Sequence, residues 1–163
     1  MSTAQVQQIQ AKPVYHPRIY KVPFRVYGEN GEFVPFWYKL MLIEGPENAA
    51  EFILSEHNGR VVLLNAVVPA PGFMYIDGAD MYLAQDLVNG ARALGRAVES
   101  YIGHESTAQT LSRALGLEVN FNRGIYTPQQ GDVGLVFRLR FRPQGDVKEI
   151  RLEDLEISIV YYL

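Results

Sequence analysis

Residues 60 to 69, RVVLLNAVVP, decide how the rest of the chain reads. Val61 to Leu64 form an unbroken apolar run, closed off by Arg60 on one side and by Pro69 on the other. A strand with one wet face alternates polar and apolar residues, so a run without alternation marks a strand covered on both faces, as in an α/β sheet. Asn65 interrupts it.

Working upstream, PENAAEFILSEHNG (46–59) has the punctuation of a short helix, with Pro46 in the first turn, Glu47 near the positive end and Asn58-Gly59 as the stop. Before it, RIYKVPFRVY, GENGEF and VPFWYKLMLI read as a β-hairpin, because aromatic and β-branched runs flank a turn with Asn30-Gly31. Pro23 and Pro35 point to edge strands. Residues 1–15 are polar and Gln-rich, as expected of a loose arm.

Downstream, FMYID (73–77) is a short strand, and GADMYLAQDLVNG (78–90) is an amphipathic helix with Leu83 and Leu87 on one face, capped by Asp80 and closed by Asn89-Gly90. RAVESYIG (96–103) reads as a central strand and ESTAQTLSRALG (105–116) as a helix closed by Gly116. The turn NFNRG (120–124), the strand GDVGLVFRLRF (131–141) and a last apolar strand within RLEDLEISIVYYL (151–163) complete the chain. The fold expected is a single α/β domain with a mixed β-sheet flanked by short helices. Residues 60–163 form its core, residues 1–59 an arm and a β-β-α extension, with the hairpin at a sheet edge.

Composition bounds the function. A chain of 163 residues, 48% hydrophobic, suits one domain with a real core. It has no run of about 18 apolar residues, and MSTAQVQQIQ lacks a basic and then apolar signal region, so no membrane partner and a cytoplasmic location are expected. There is no cysteine, and His16, His57 and His104 stand far apart with no HxxxH spacing, so neither a metal site nor a cofactor is expected. A net charge of −3 argues against tracking DNA or another long nucleic acid. Past residue 90, however, the basic residues are arginines apart from Lys148. A guanidinium fork meets phosphate oxygens in pairs, so this bias fits a small phosphorylated ligand as well as an ordinary charged surface.

Two places concentrate that possibility. Gly103 and His104 fall where a strand ends and a helix begins, with Ser106 and Thr107 at the cap and first turn, where unpartnered N–H groups favour an anion. A histidine that only caps the helix explains the same residues. On the strand 133–142, Val133, Leu135, Phe137, Leu139 and Phe141 share one face while Arg138, Arg140 and Arg142 share the other. Three guanidiniums in a row need either water or an anion in front of them.

Several pieces then form a pattern: VVLLNA, the VNG ending the first core helix, IGHEST followed by LSRALG, the pair Asn122-Arg123, and RPQG at Arg142 to Gly145. In that order, over about residues 60–163, the chain resembles the viral type III anti-CRISPR ring nucleases and their prokaryotic relatives. The resemblance implies a homodimer that binds cyclic tetra-adenylate and cleaves it without metal. It makes His104 the general acid, Arg142 the stabiliser of charge on the phosphate, and Asn65, Gly103, Ser106, Thr107 and Arg123 the holders of the ring, with Arg138 and Arg140 beside them. Gln144 stands where the family commonly has a glutamate, and Val68 where some members have a serine; Asp146 is a nearby acid. Gln144 hydrogen-bonds but carries no charge, so a protein that sequesters the ring without cutting it is the alternative to a nuclease. A third reading is an interaction module that kept the fold and lost the ligand.

Overall fold

A computed structural model describes residues 18–24, 29–30, 39–141 and 150–163. The arm 1–15, Gly31, Pro35, Arg142, Gln144 and Asp146, for which the sequence makes specific expectations, lie outside the described residues.

The apolar run becomes β3 (Val61–Leu64), and all four of its residues are buried. It pairs in parallel with β5 (Val98–Tyr101) and with β6 (Val133–Leu139). Beyond β6 come β7 (Leu155–Tyr162) and then β4 (Met74–Gly78), both antiparallel to their neighbours. The order β4-β7-β6-β3-β5 makes this a mixed five-stranded sheet. β5 is therefore an edge strand, not the central strand its sequence suggests.

Helices α1 (Pro46–Glu56), α2 (Met81–Ala93) and α3 (Glu105–Leu115) cover one face. Ile53, Leu83, Leu87 and Leu111 pack there with Val61, Leu63, Leu135, Phe137 and Tyr161. Each such side chain removed from water contributes roughly 1.5–3 kcal/mol, which makes this layer the main source of stability. The opposite face carries Val62, Leu64, Val136, Val160 and Tyr162, and its cover is Tyr126 and the segment after β3, through Val67, Val68 and Ala70. Burial on both faces of β3 is thus achieved with helices on one side and irregular chain on the other. Among the described residues, no helix is long and apolar enough to cross a membrane.

Two further expectations need correction. Strands β1 (Ile19–Phe24) and β2 (Lys39–Glu44) form a separate two-stranded antiparallel sheet, not an edge of the large one. The reason is that Tyr20 and Val22 find their apolar partners in the helix layer, and a single residue, Gly45, links β2 to α1. Tyr20 donates to the Asp80 carboxylate at 2.7 Å and Arg18 donates to it at 3.1 Å, while the same carboxylate caps α2 through Leu83 N–H. The second correction concerns α2, which runs through Asn89-Gly90 to Ala93. A Cβ at position 90 would lie 2.8 Å from Leu54 Cδ1, so this glycine lets two helices approach and does not end one.

The amino ends of the parallel strands are tied by a buried charge. Asp132, 1% exposed, receives Arg60 Nη2 at 2.8 Å, Arg60 N at 2.9 Å, Tyr126 Oη at 2.7 Å and Gln129 N at 3.1 Å. Arg60 Nη1 also reaches Glu99 on β5 at 2.9 Å. Beside it the backbones of Gly59 and Gly131 touch so closely that a Cβ on Gly59 would sit 2.5 Å from a carbonyl carbon. Burial pushes the Asp132 carboxyl up, but the bonds from Arg60, Tyr126 and the backbone outweigh it and leave the pKa below the ordinary carboxylate value. A depressed folded-state pKa stabilises above the ordinary value and that stability is lost as pH falls through the lower one. Asp132→Asn should therefore cost about 3–5 kcal/mol at neutral pH, and the penalty should shrink as pH drops below about 4, measurable by urea unfolding across that range.

Candidate functional site

The carboxyl ends of β5, β3 and β6 lie side by side, since Leu64 pairs with Tyr101 and with Val136. One residue further along β3 is Asn65, and two further along β5 is Gly103. Gly103 N–H donates to Asn65 Oδ1 at 2.5 Å. The Gly103 carbonyl in turn accepts from Arg123 Nε at 3.3 Å. Three residues from three separate segments thus meet at one backbone unit.

Arg123 is brought there by the turn 120–124. Phe121 bridges Ile102 in parallel fashion and Asn122 N–H donates to the Ile102 carbonyl at 2.8 Å, extending β5 by one thin layer. The Asn122 side chain does the rest: Nδ2 donates to Ser100 O at 3.0 Å and Oδ1 accepts from Gly124 N–H at 2.8 Å. An Asn bonded to the N–H two residues on is a turn in itself, and the spacing Asn122-Arg123-Gly124 carries that signal. Asn122 is thus the brace of Arg123, a role that goes beyond its place in the motif and that this local turn signal could have revealed.

His104 follows Gly103 directly. It is the N-cap of α3 through its backbone, whose carbonyl accepts from Ala108 N–H at 3.0 Å, and its exposed side chain makes no capping bond. The cap therefore lies at His104, not at Ser106; Ser106 and Thr107 are the second and third residues of the helix. Ser106 is half-buried and Thr107 is 1% exposed, turned into the core. Gly116 closes the helix in the left-handed region, φ 68°, as expected.

The arginine row is shorter than the sequence suggests. β6 ends at Leu139, so Arg140 and Phe141 lie beyond it, and Phe141 is exposed where alternation puts it on the buried face. Arg138 Nη2 is 3.8 Å from Glu156 with both groups exposed, a pair worth little in water. Arg140 Nε donates to the Glu153 carbonyl at 3.1 Å. Among the described residues neither arginine bonds to His104, Asn65 or Arg123, and Arg142 and Gln144 lie outside them. Nor does any cluster of three His, Asp or Glu side chains there have the geometry to hold a metal ion.

Residues 61–163 match the family described as STIV B116-like. The chain belongs to that family. A solved structure, B116 of Sulfolobus turreted icosahedral virus, matches with a TM-score of 0.53 at 20% identity, over 63% of this chain and 99% of the viral one. At that identity the likeness is one of fold. No curated protein matches the chain. The B116-like region begins at the first residue of β3 and takes in the whole five-stranded sheet with α2 and α3, while the hairpin and α1 precede it.

Within this B116-like core, Val68 serves the architecture, since it packs on the second sheet face and its carbonyl accepts from Tyr162 Oη at 2.7 Å. A cleft of about 550 Å³ runs along the free edge of β5, between Arg60 and Asn122. Several of its polar groups are committed: Arg60 to Asp132 and Glu99, Asn122 to its own turn, and Ser100 Oγ to the Asn120 carbonyl. Replacing Asn65 with Ala removes the acceptor for Gly103. It should cost about 1–3 kcal/mol and make the Gly103 amide exchange at least about tenfold faster, as read by NMR hydrogen exchange.

Proposed function

We propose that this chain is a ring nuclease that binds cyclic tetra-adenylate, a signal of type III CRISPR defence, and opens it without a metal. The observation that carries the reading is the position of His104: exposed, at a helix start, and next in sequence to the glycine that joins Asn65 and Arg123. The order IGHEST, LSRALG, Asn122-Arg123, RPQG supports the same reading through the family resemblance.

The chemistry needs little from the protein. The ribose 2′-hydroxyl loses its proton to solvent as its oxygen bonds to the adjacent phosphorus, the bond to the 5′-oxygen breaks, and that oxygen takes a proton from His104. Arg123 binds a phosphate of the ring, held by its neighbours before the ligand arrives. Asn65, Gly103, Ser106 and Thr107 shape the floor and the helix start, Arg138 and Arg140 add positive charge at the sheet end, and Arg142 stabilises the pentavalent phosphorane, with Gln144 as a hydrogen-bonding partner of the substrate. A four-nucleotide ring has approximate two-fold symmetry, which a symmetric homodimer matches with two equivalent sites. The nucleophile belongs to the RNA, so the reaction calls for no metal to generate it.

Mass spectrometry of the products in excess chelator tests this. Linear products ending in a 2′,3′-cyclic phosphate are expected, and a 3′-hydroxyl with a 5′-phosphate, or loss of activity with chelator, would overturn the mechanism. His104→Ala should lower the rate by about 10²- to 10⁴-fold while affinity stays within a few-fold. Arg123→Ala should weaken binding itself, read by calorimetry. The uncharged Gln144 favours the second reading, a protein that sequesters the ring. Tight binding with no turnover by the wild-type chain would select it.

A further inference from the structure

The geometry points to Phe121 as a positioning residue for Arg123: its ring lies under the guanidinium, 5.1 Å from centroid to carbon, and holds that cation ready for a phosphate. The inference rests on the ligand-binding reading above.

Phe121 is 46% exposed and takes no part in either buried cluster of the sheet. Its backbone bridges Ile102, but any residue with a free main chain can do that, so the bridge does not explain an exposed aromatic ring. The neighbour that does explain it is Arg123. An arginine on the surface samples many rotamers, and ordering it at the moment of binding reduces affinity. Here three contacts remove that freedom beforehand. Asn122 fixes the backbone on which Arg123 stands, the Gly103 carbonyl takes Nε–H, and the ring face attracts the planar cation through its quadrupole. Among the described residues, the two terminal nitrogens of Arg123 have no hydrogen bond or ion pair. Those are the nitrogens that grip a phosphate in the paired manner. With Nε docked on the Gly103 carbonyl and the guanidinium over the ring, the fork is left free for a phosphate at the residue that precedes His104.

A structural role for the ring and a positioning role differ in what they do when Arg123 is absent. The test is a double-mutant cycle of Phe121→Leu and Arg123→Ala, with Phe121→Met as a second non-aromatic variant and Phe121→Tyr to restore the π face. Affinity for cyclic tetra-adenylate is read by calorimetry and cleavage by the bound complex in single turnover. Thermal unfolding confirms that each variant is folded. Phe121→Leu and Phe121→Met are each expected to weaken binding by about 2- to 5-fold, the range of an exposed cation–π contact. They should leave the rate of the bound complex nearly unchanged. Phe121→Tyr should bind as the wild type does, and Phe121→Leu should have no effect once Arg123 is Ala. An undiminished effect in the Arg123→Ala background would overturn the inference, since the ring would then be acting on its own. Wild-type affinity in Phe121→Leu and Phe121→Met would overturn it too. A wild-type chain that does not bind the ring removes the functional reading and this inference with it, whereas binding that is indifferent to Phe121 removes the inference alone.

Discussion

A buried carboxylate and the arginine that reaches it hold the architecture in register. Asp132 precedes β6, Arg60 precedes β3, and Glu99 sits on β5, so the contacts of one guanidinium link three adjacent parallel strands at their amino ends. A one-residue slip of β3 would exchange Val61 and Leu63 with Val62 and Leu64 and present each to the wrong layer. Because β3 is only four residues long, fixing its start also fixes its end, about 10 Å away. That end is where Asn65 meets Gly103. The clamp at one edge of the strands thereby sets the alignment of the polar cluster at the other.

The two faces of the sheet solve their burial differently, and this shapes what the molecule can expose. Helices fill one side with interlocking apolar stripes, and the extension joins the same layer through Tyr20, Val22 and the Asp80 carboxylate that caps α2. The other side has Tyr126, Tyr162 and the segment around Val68 over it, a thinner cover whose polar tips are satisfied by Asp132 and a backbone carbonyl. Irregular chain over a sheet must find a hydrogen bond for every buried polar group. Val68 meets both demands, with an apolar side chain for the sheet and a carbonyl for Tyr162.

The candidate site is built from placement, with few strong interactions. Gly103 receives Asn65 on its amide and Arg123 on its carbonyl, and His104 is the next residue. The histidine owes its position to a strand end and its exposure to the fact that its backbone, and not its ring, caps α3. The turn that carries Arg123 is tied to the end of β5 by the Phe121–Ile102 bridge and by the bonds of Asn122 to Ser100 and Ile102. On the reading proposed above, in which the nucleophile belongs to the substrate, such alignment of His104 and Arg123 is what the protein would add.

How much of this was legible in the sequence follows from how local each feature is. The double burial of Val61 to Leu64, the cap at Asp80 and the stop at Gly116 are set within a few residues, and sequence pattern identifies all three. The conjunction of His104 with a strand end and a helix start was readable for the same reason. Strand order was not: that β5 is an edge strand, or that the hairpin stands as its own sheet, depends on which apolar surfaces remain uncovered once the helices pack. Gly90 looks like a helix stop until Leu54 of another helix is placed against it. Arg138 and Arg140 look like one row on a strand face until β6 is seen to end at Leu139, between them. Local propensity and spacing are short-range properties that the chain determines by itself. The meeting of Asn65, Gly103 and Arg123, 38 and 20 residues apart in turn, was decided by the tertiary structure, because only the folded sheet brings those backbones within hydrogen-bond distance.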